Sequence, residues 1–400
     1  MRTLAPERPT FLFEWGEGRY AAVGYRPRSE TLFPNGKDAL AALRQEMVEL
    51  TKSATLDEAL LDGDTNGTRR LAAMLNQGLV GFIAYEALQL ALGFDPWGQM
   101  ALLSRFIKAP TVALFDHHEQ TMTIAGASEG MVRRCAWELA QAPDLSPLEI
   151  PDPEALPEAL QPMPSDEVFA AKSAAARTRL AAGEAKQLTL ARSFKAAPRG
   201  ANVFDAYRAL RVLSPRSNLF FLDFVETPIA PGMTLFGASD ESFETLPDAD
   251  ADAATAIDEI GNVLLAGAPV GDPTKAAARL ARMFEAGPRM LYGGAAGYLL
   301  PGGEVNLALG RASAVLLHGE LTVTAAAPVS SDGSAHYEVL RQARPLLAAI
   351  RAAQESLHAR EEEAKRKAEA AAKREAEAAA KAEAAAKEAA ETDAGEASSS

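Results

Sequence analysis

Residues 271–299 read GDPTKAAARLARMFEAGPRMLYGGAAGYL, and the pattern changes period inside them. Apolar residues at helical spacing predict a helix around 273–286, and YGGAAGYLL at 292–300 then reads as a short strand. Tyr292 stands before Gly293 and Gly294, where an aromatic ring often covers bare backbone. Outward from this stretch the same mixture continues. KQLTLARSFK (186–195), SNLFFLDFV (217–225), GMTLFGA (232–238), NLALGRASAVLL (306–317) and ELTVTAAA (320–327) have the composition of strands. NVFDAYRALRVL (202–213) is helical, as is EVFAAKSAAARTRLAAG (167–183), with Ser165 as N-cap and Asp166 and Glu167 in the first turn.

Further upstream, PTFLFEW (9–15), RYAAVGY (19–25), GLVGFIAYE (78–86) and APTVALFD (109–116) predict strands, while DALAALRQEMVEL (38–50) and EGMVRRCAWELAQ (129–141) predict helices. Strands and helices follow no regular βαβ order, which argues for an α+β fold. Residues 142–164, APDLSPLEIPDPEALPEALQPMP, are dense in proline and read as a linker over the surface. The chain thus divides into 1–141, the linker 142–164, a second part 165–355, a helix 356–391 and a disordered tail 392–400.

The last two segments are separated from the rest by composition. Up to 355, Tyr337, Leu340, Leu346, Leu347 and Ile350 can form a core-facing stripe. Beyond Leu357 no large apolar residue occurs, so no coiled-coil seam exists. Glu361–Lys365, Glu362–Arg366, Glu363–Lys367, Glu369–Lys373, Glu377–Lys381 and Glu383–Lys387 are Glu-first pairs four apart. Each contributes roughly 0.2–0.5 kcal/mol, which predicts a solvated single helix able to act as a stiff spacer.

Composition excludes some functions. The chain has 400 residues, 54 acidic against 40 Lys and Arg, for a net charge of -14, which repels phosphate backbones and makes nucleic acid a poor partner. No apolar run is long enough to insert in a membrane, and MRTLAPERPT lacks the order of a signal peptide, so the expected location is cytoplasmic. The single cysteine, Cys135, sits in a helical pattern and reads as a buried inert thiol. His117 and His118 have no metal-ligand spacing around them and read as strand-end residues.

The opening stretch is similar to the signature of the chorismate-utilising enzymes, the family of anthranilate synthase component I and aminodeoxychorismate synthase. FLFEWGEGRYAAVGYRP, LVGFIAYEALQ, VALFDHHEQTMTI, KQLTLARSF, FDAYRALRVLSPRSNLFFLDF and FGASDESF resemble further family segments in the same order and cover most of 11–351. The resemblance implies a fold of packed antiparallel sheets with surrounding helices. It also implies a pocket in which an Arg, a Tyr, backbone N–H groups and a Mg²⁺ clamped by two Glu residues hold chorismate. By position it implies ligand-binding roles for Tyr292 and Arg311, and for Glu338 a vestigial metal-binding role. Structural readings stand beside these: a ring over glycines, an ion pair and a solvent-facing carboxylate.

The rest of the family pattern is interrupted. Between Glu241 and Gly267 there is room for a loop and a helix, where the family carries P-I-A-G-T and E-H-x-M-L-V-D-L-x-R-N-D. G-T-x-S-G-A-P-K reads Gly267, Ala268, Pro269, Val270, Gly271, Asp272, Pro273, Thr274, with Lys275 one position late. G-A-G-I-V reads AAAPV at 325–329, and the Lys four after the metal Glu is Gln342. The family's tryptophan site reads Leu12, Phe13, Glu14, Trp15 and Pro215, Arg216, Ser217, Asn218, Leu219. The favoured expectation is a reduced, catalytically inactive member without a cofactor, acting by binding or regulation, with a protein partner held through the body or the helical tail. Two alternatives stand beside it. One is an active aminating synthase using Mg²⁺ and ammonia or a glutamine amidotransferase subunit; the other is a structural adaptor with a helical spacer.

Overall fold

The computed structural model describes residues 9–397 except 26–28, 33–38, 57–60, 95–96, 98–101, 142–144, 229, 246–252, 266–268 and 330–333. Gly267, Ala268, the first three linker residues and residues 398–400 of the expected tail therefore lie outside the described residues. In chain order the strands are β1 Pro9–Trp15, β2 Tyr20–Tyr25, β3 Ser29–Leu32, β4 Leu79–Ile83, β5 Arg105–Lys108, β6 Thr111–Asp116, β7 Thr121–Gly126, β8 Gln161–Met163 and β9 Gln187–Ala196. They continue with β10 Asn218–Phe224, β11 Met233–Ser239, β12 Ser242–Thr245, β13 Gly271–Asp272, β14 Ala295–Leu299, β15 Val305–Leu309, β16 Ala312–Leu317 and β17 Glu320–Pro328. The helices are α1 Ala39–Ser53, α2 Thr68–Gln77, α3 Tyr85–Ala91, α4 Glu129–Ala140, α5 Asp166–Ala181, α6 Val203–Leu213, α7 Ala253–Leu265, α8 Thr274–Phe284 and α9 Ala335–Ala397.

Two antiparallel sheets carry the molecule. The larger has the order β13-β9-β17-β16-β11-β10-β1-β2-β6-β7, with β8 also on β9; the smaller runs β12-β15-β14-β4-β5-β3. Both draw strands from either side of the 142–164 segment: β1 pairs with β10, and β4 with β14. Residues 1–141 and 165–355 are thus interleaved parts of one architecture. The α+β expectation of packed antiparallel sheets holds.

Strand alternation explains the layering. On β4, Val80 and Phe82 face the larger sheet while Leu79 and Ile83 face the helices; on β14, Ala296 and Tyr298 divide from Ala295 and Leu299 in the same way. Between the sheets Phe13 meets Tyr298 with ring centroids 6.3 Å apart, Trp15 meets Tyr298 at 5.4 Å, and Phe82 meets Phe224 at 5.7 Å. Phe11, Phe13 and Phe82 are fully buried, each stabilising by about 1.5–3 kcal/mol. A surface ion pair contributes about 0–1 kcal/mol, so this aromatic layer outweighs the surface charge pairs.

Several local expectations are corrected. GLVGFIAYE is a strand only to Ile83, and α3 starts at Tyr85, whose N–H donates to the Met290 carbonyl at 3.0 Å. NLALGRASAVLL is two strands in two sheets, broken at Gly310. The short strands β3, β5, β8, β12 and β13 have no periodic signature of their own and form because a neighbouring edge accepts them. The proline-rich segment does cross the surface, and it is docked there: the Glu149 N–H donates to Ser356 Oγ at 2.9 Å and the Glu158 N–H to Gln354 Oε1 at 3.2 Å.

α9 is continuous through 356 and past 391, so no break separates a body helix from a tail helix. Its buried stripe is Ala335, Val339, Ala343, Leu346, Leu347 and Ile350. Tyr337, expected in that stripe, is 70 % exposed and packs against His336. Among the residues whose burial is described, the last docked one is Arg360, whose guanidinium meets the buried Asp205 on α6 at 2.6 Å. Residues 361–381 are exposed throughout, and Glu362–Arg366 and Glu363–Lys367 form the expected pairs.

Candidate functional site: a cavity at the sheet crossover

A cavity of about 510 Å³ lies where α9 passes the β9–β17 edge. Tyr292 and Arg311 both line it. They meet because the chain changes sheets between them: β15 belongs to the smaller sheet, β16 to the larger, and Gly310 and Arg311 form the crossover. Arg311, expected on a strand, therefore sits in a bend between two. An ideal Cβ on Gly310 would fall 2.1 Å from the Leu291 carbonyl oxygen, so only glycine fits. The Gly293 N–H donates to the Gly310 carbonyl at 2.7 Å and the Gly310 N–H to the Gly294 carbonyl at 2.8 Å. These bonds stitch the Tyr292 turn to the Arg311 crossover.

Beneath the turn lies a buried polar cluster. Arg289 is fully buried; it meets Glu285 at 2.6 Å and donates to the carbonyls of Pro269 at 2.7 Å and Thr189 at 2.8 Å. Burial disfavours its charge, but the Glu285 carboxylate overcomes this and holds Arg289 above its ordinary value. Glu86 on α3, also fully buried, accepts from the backbone N–H of Arg289 at 2.8 Å and of Met290 at 3.2 Å. Its second oxygen has no partner among the described residues. Burial pushes this carboxyl up to about 8, against those N–H bonds, so at neutral pH it is largely protonated. Glu86, Glu285 and Arg289 escaped sequence reasoning; the one visible signal was Glu285 four residues before Arg289.

Within the cavity, Arg311 is already engaged. Its Nε donates to Glu241 at 3.2 Å and an Nη makes a second contact with the same carboxylate. Next to Glu241, Asp240 accepts from Ser217 Oγ at 2.5 Å. Tyr292 is 7 % exposed, and burial pushes its hydroxyl above the usual tyrosine value despite the nearby Arg289 and Arg311, so it stays a neutral phenol. Ala326 and Pro328 line the wall, while Ala325 and Ala327 alternate into the core; of AAAPV, then, two residues reach the cavity, and proline brings no N–H there. Leu210, Pro345 and Leu346 supply the apolar remainder, and Gln342 closes one side.

Glu338 lies apart from this lining. Arg341 holds its carboxylate at 2.8 and 2.5 Å, and Gln342 Nε2 donates to it at 2.8 Å. The Arg341 hydrogen bonds hold its carboxyl below the ordinary range. Among the described residues no group of three or more His, Cys, Asp or Glu side chains could hold a metal ion. A Mg²⁺ ion keeps near-octahedral oxygen ligation and dehydrates reluctantly, and a carboxylate already occupied by a guanidinium does not fit that demand. Lys275 is exposed on α8, outside the lining, and His118 is an exposed residue just past β6, paired with Glu119 at 3.4 Å. Cys135 is buried on α4. Glu14, in the expected remnant of the tryptophan site, accepts from Tyr207 at 2.5 Å and Arg211 at 2.6 Å.

The family model described as chorismate binding enzyme matches residues 8–252, more than half of the chain. The chain belongs to this family. That match stops before 271–299, so Tyr292 and Arg311 rest on their motifs and on the geometry above. Among chorismate binding enzyme relatives, anthranilate synthase component 1 of Mycolicibacterium smegmatis is 27 % identical over 289 residues, 62 % of this chain and 52 % of the relative. The chain thus aligns with about half the length of that protein. Anthranilate synthase component I from Streptococcus pneumoniae superposes with a TM-score of 0.64 at 20 % identity, covering 82 % of this chain and 92 % of that one. The menaquinone-specific isochorismate synthase of Escherichia coli gives 0.51 at 14 % identity, covering 86 % and 88 %. Both share the fold. No helix among the described residues is long and apolar enough to cross a membrane.

Proposed function

We propose that this chorismate binding enzyme family member binds a small molecule in the Tyr292–Arg311 cavity without carrying out the family's chemistry, and acts in the cytoplasm by binding or regulation. One observation carries the proposal: the charged groups retained from the family pattern are already taken by neighbouring side chains. Arg311 is closed by Glu241, and Glu338 is closed by Arg341 and Gln342. A group acts as acid, base or metal ligand only where it can reach the reacting atoms; Glu338 is held outside the lining, and Arg311 lines the cavity with two of its nitrogens already on Glu241.

The test is product detection by chromatography, with concentrated full-length protein supplied with chorismate, ammonia and Mg²⁺. No anthranilate, aminodeoxychorismate, isochorismate or salicylate is expected. Product formation that disappears in both Arg311→Ala and Glu338→Ala would establish an active synthase instead, and the search for a glutamine amidotransferase subunit would follow. A second reading is favoured by α9 itself. An exposed helix extending beyond the last docked residue, Arg360, suits a spacer that holds a protein partner away from the body, and this use is compatible with binding in the cavity.

A further inference from the structure

The charge of the cavity differs from what an anionic ligand needs. Its charged lining residues are Asp240, Glu241 and Arg311, so two carboxylates face one guanidinium. Glu241 takes Arg311 through two of its nitrogens, while Asp240, an exposed residue at the mouth, has among the described residues only the neutral Ser217 hydroxyl. Deeper in the cavity, Thr189 and Tyr292 are 8 % and 7 % exposed. Neither hydroxyl bonds to another described residue, so each keeps its donor and acceptor capacity for a molecule in the cavity. A dicarboxylate would meet a lining with one more carboxylate than guanidinium, and a guanidinium already paired with Glu241.

We infer that the cavity takes a small zwitterion, an α-amino acid with an uncharged side chain. Its ammonium sits on Asp240, its carboxylate shares Arg311, and its side chain lies against Leu210, Ala326 and Leu346. The inference rests on the binding reading above and deepens it. An ammonium can donate a charge-assisted hydrogen bond to the exposed Asp240 carboxylate, unpaired among the described residues. The carboxylate uses the Arg311 nitrogen that Glu241 leaves over, and the Thr189 and Tyr292 hydroxyls can each donate or accept. The cavity volume is within the range of small-molecule sites.

The experiment is a thermal-shift screen of full-length protein against the α-amino acids with uncharged side chains, with chorismate alongside, followed by calorimetric titration of the strongest. At least one amino acid should bind, its N-acetyl derivative at least tenfold more weakly, and Asp240→Asn should cause a similar loss. Glu241→Gln, which releases Arg311, should raise the affinity for chorismate. If the N-acetyl derivative binds as well as its parent, or wild type prefers chorismate, the ammonium assignment is overturned while cavity binding stands. If neither chorismate nor any amino acid binds the folded protein, the binding reading fails and takes the inference with it. Turnover of chorismate would remove the non-catalytic reading alone, and amino-acid competition against that turnover would then decide the inference.

Discussion

Glu86 is a residue whose protonation state is coupled to the shape of the site. Its carboxyl holds the backbone of Arg289 and Met290, three and two positions before Tyr292, from a fully buried position. Burial raises it from 4.5 to about 8. Between those values the folded chain keeps a proton that the unfolded chain has released, so this group's contribution to stability is full below about 4.5. It falls by about 1.4 kcal/mol per pH unit and is lost once pH has risen through about 8. Glu86→Gln keeps an acceptor for the two N–H groups and cannot ionise. The variant should therefore gain stability relative to wild type across pH 5–8, by urea denaturation at each pH. Parallel pH profiles for the two proteins would show that Glu86 does not titrate this way. The residue is hard to find in the sequence because a Glu after a strand-like LVGFIAY looks like a surface residue; only the return of Arg289 from more than two hundred positions away buries it.

At the scale of the element, α9 is two helices in one. Its first half is anchored by Val339, Ala343, Leu346, Leu347 and Ile350, by Ser356 on the Glu149 backbone and by Arg360 on Asp205; from 361 to 381 it has no buried residue. Ending the chain after Arg360 should leave the melting temperature within a degree or two, since exposed changes away from packed features cost under about 0.5 kcal/mol. Ending it after Glu355 removes both Ser356 and Arg360 and leaves the buried Asp205 with only Arg208 as an ion-pair partner among the described residues. A clear loss of stability in calorimetry is expected there. Equal melting of the two truncations would mean that the anchoring ends earlier than Arg360. The Ala, Glu and Lys composition made the solvated half legible, whereas the docked boundary depends on Asp205 and Ser356, which no helical period identifies.

On the scale of the whole molecule, the two sheets each mix early and late strands. β1 and β2 sit between β10 and β6 in one, and β4 sits between β14 and β5 in the other. Neither 1–141 nor 165–400 has a complete sheet of its own, and an edge stripped of its neighbour exposes unpaired N–H and C=O groups. Expressed separately, each fragment should lack the dispersed amide spectrum of a folded protein. A cooperatively melting 165–400 fragment would show that the late strands close a core without β1 and β4.

Strands such as PTFLFEW, RYAAVGY and GMTLFGA were readable from their composition, because β-branched and aromatic residues between turn formers signal a buried strand wherever it ends up. The α+β class followed from the irregular order of strands and helices, and the exposed second half of α9 from the absence of large apolar residues beyond Leu357. Tyr292 and Arg311 were identifiable by motif. Their juxtaposition was not, since it comes from Gly310 letting two strands of different sheets run through one crossover. Glu241 on Arg311 and Arg341 on Glu338 are equally tertiary facts: a sequence shows which charges exist, and only folding shows which of them neutralise one another, because ion pairing falls off with distance in space and not along the chain.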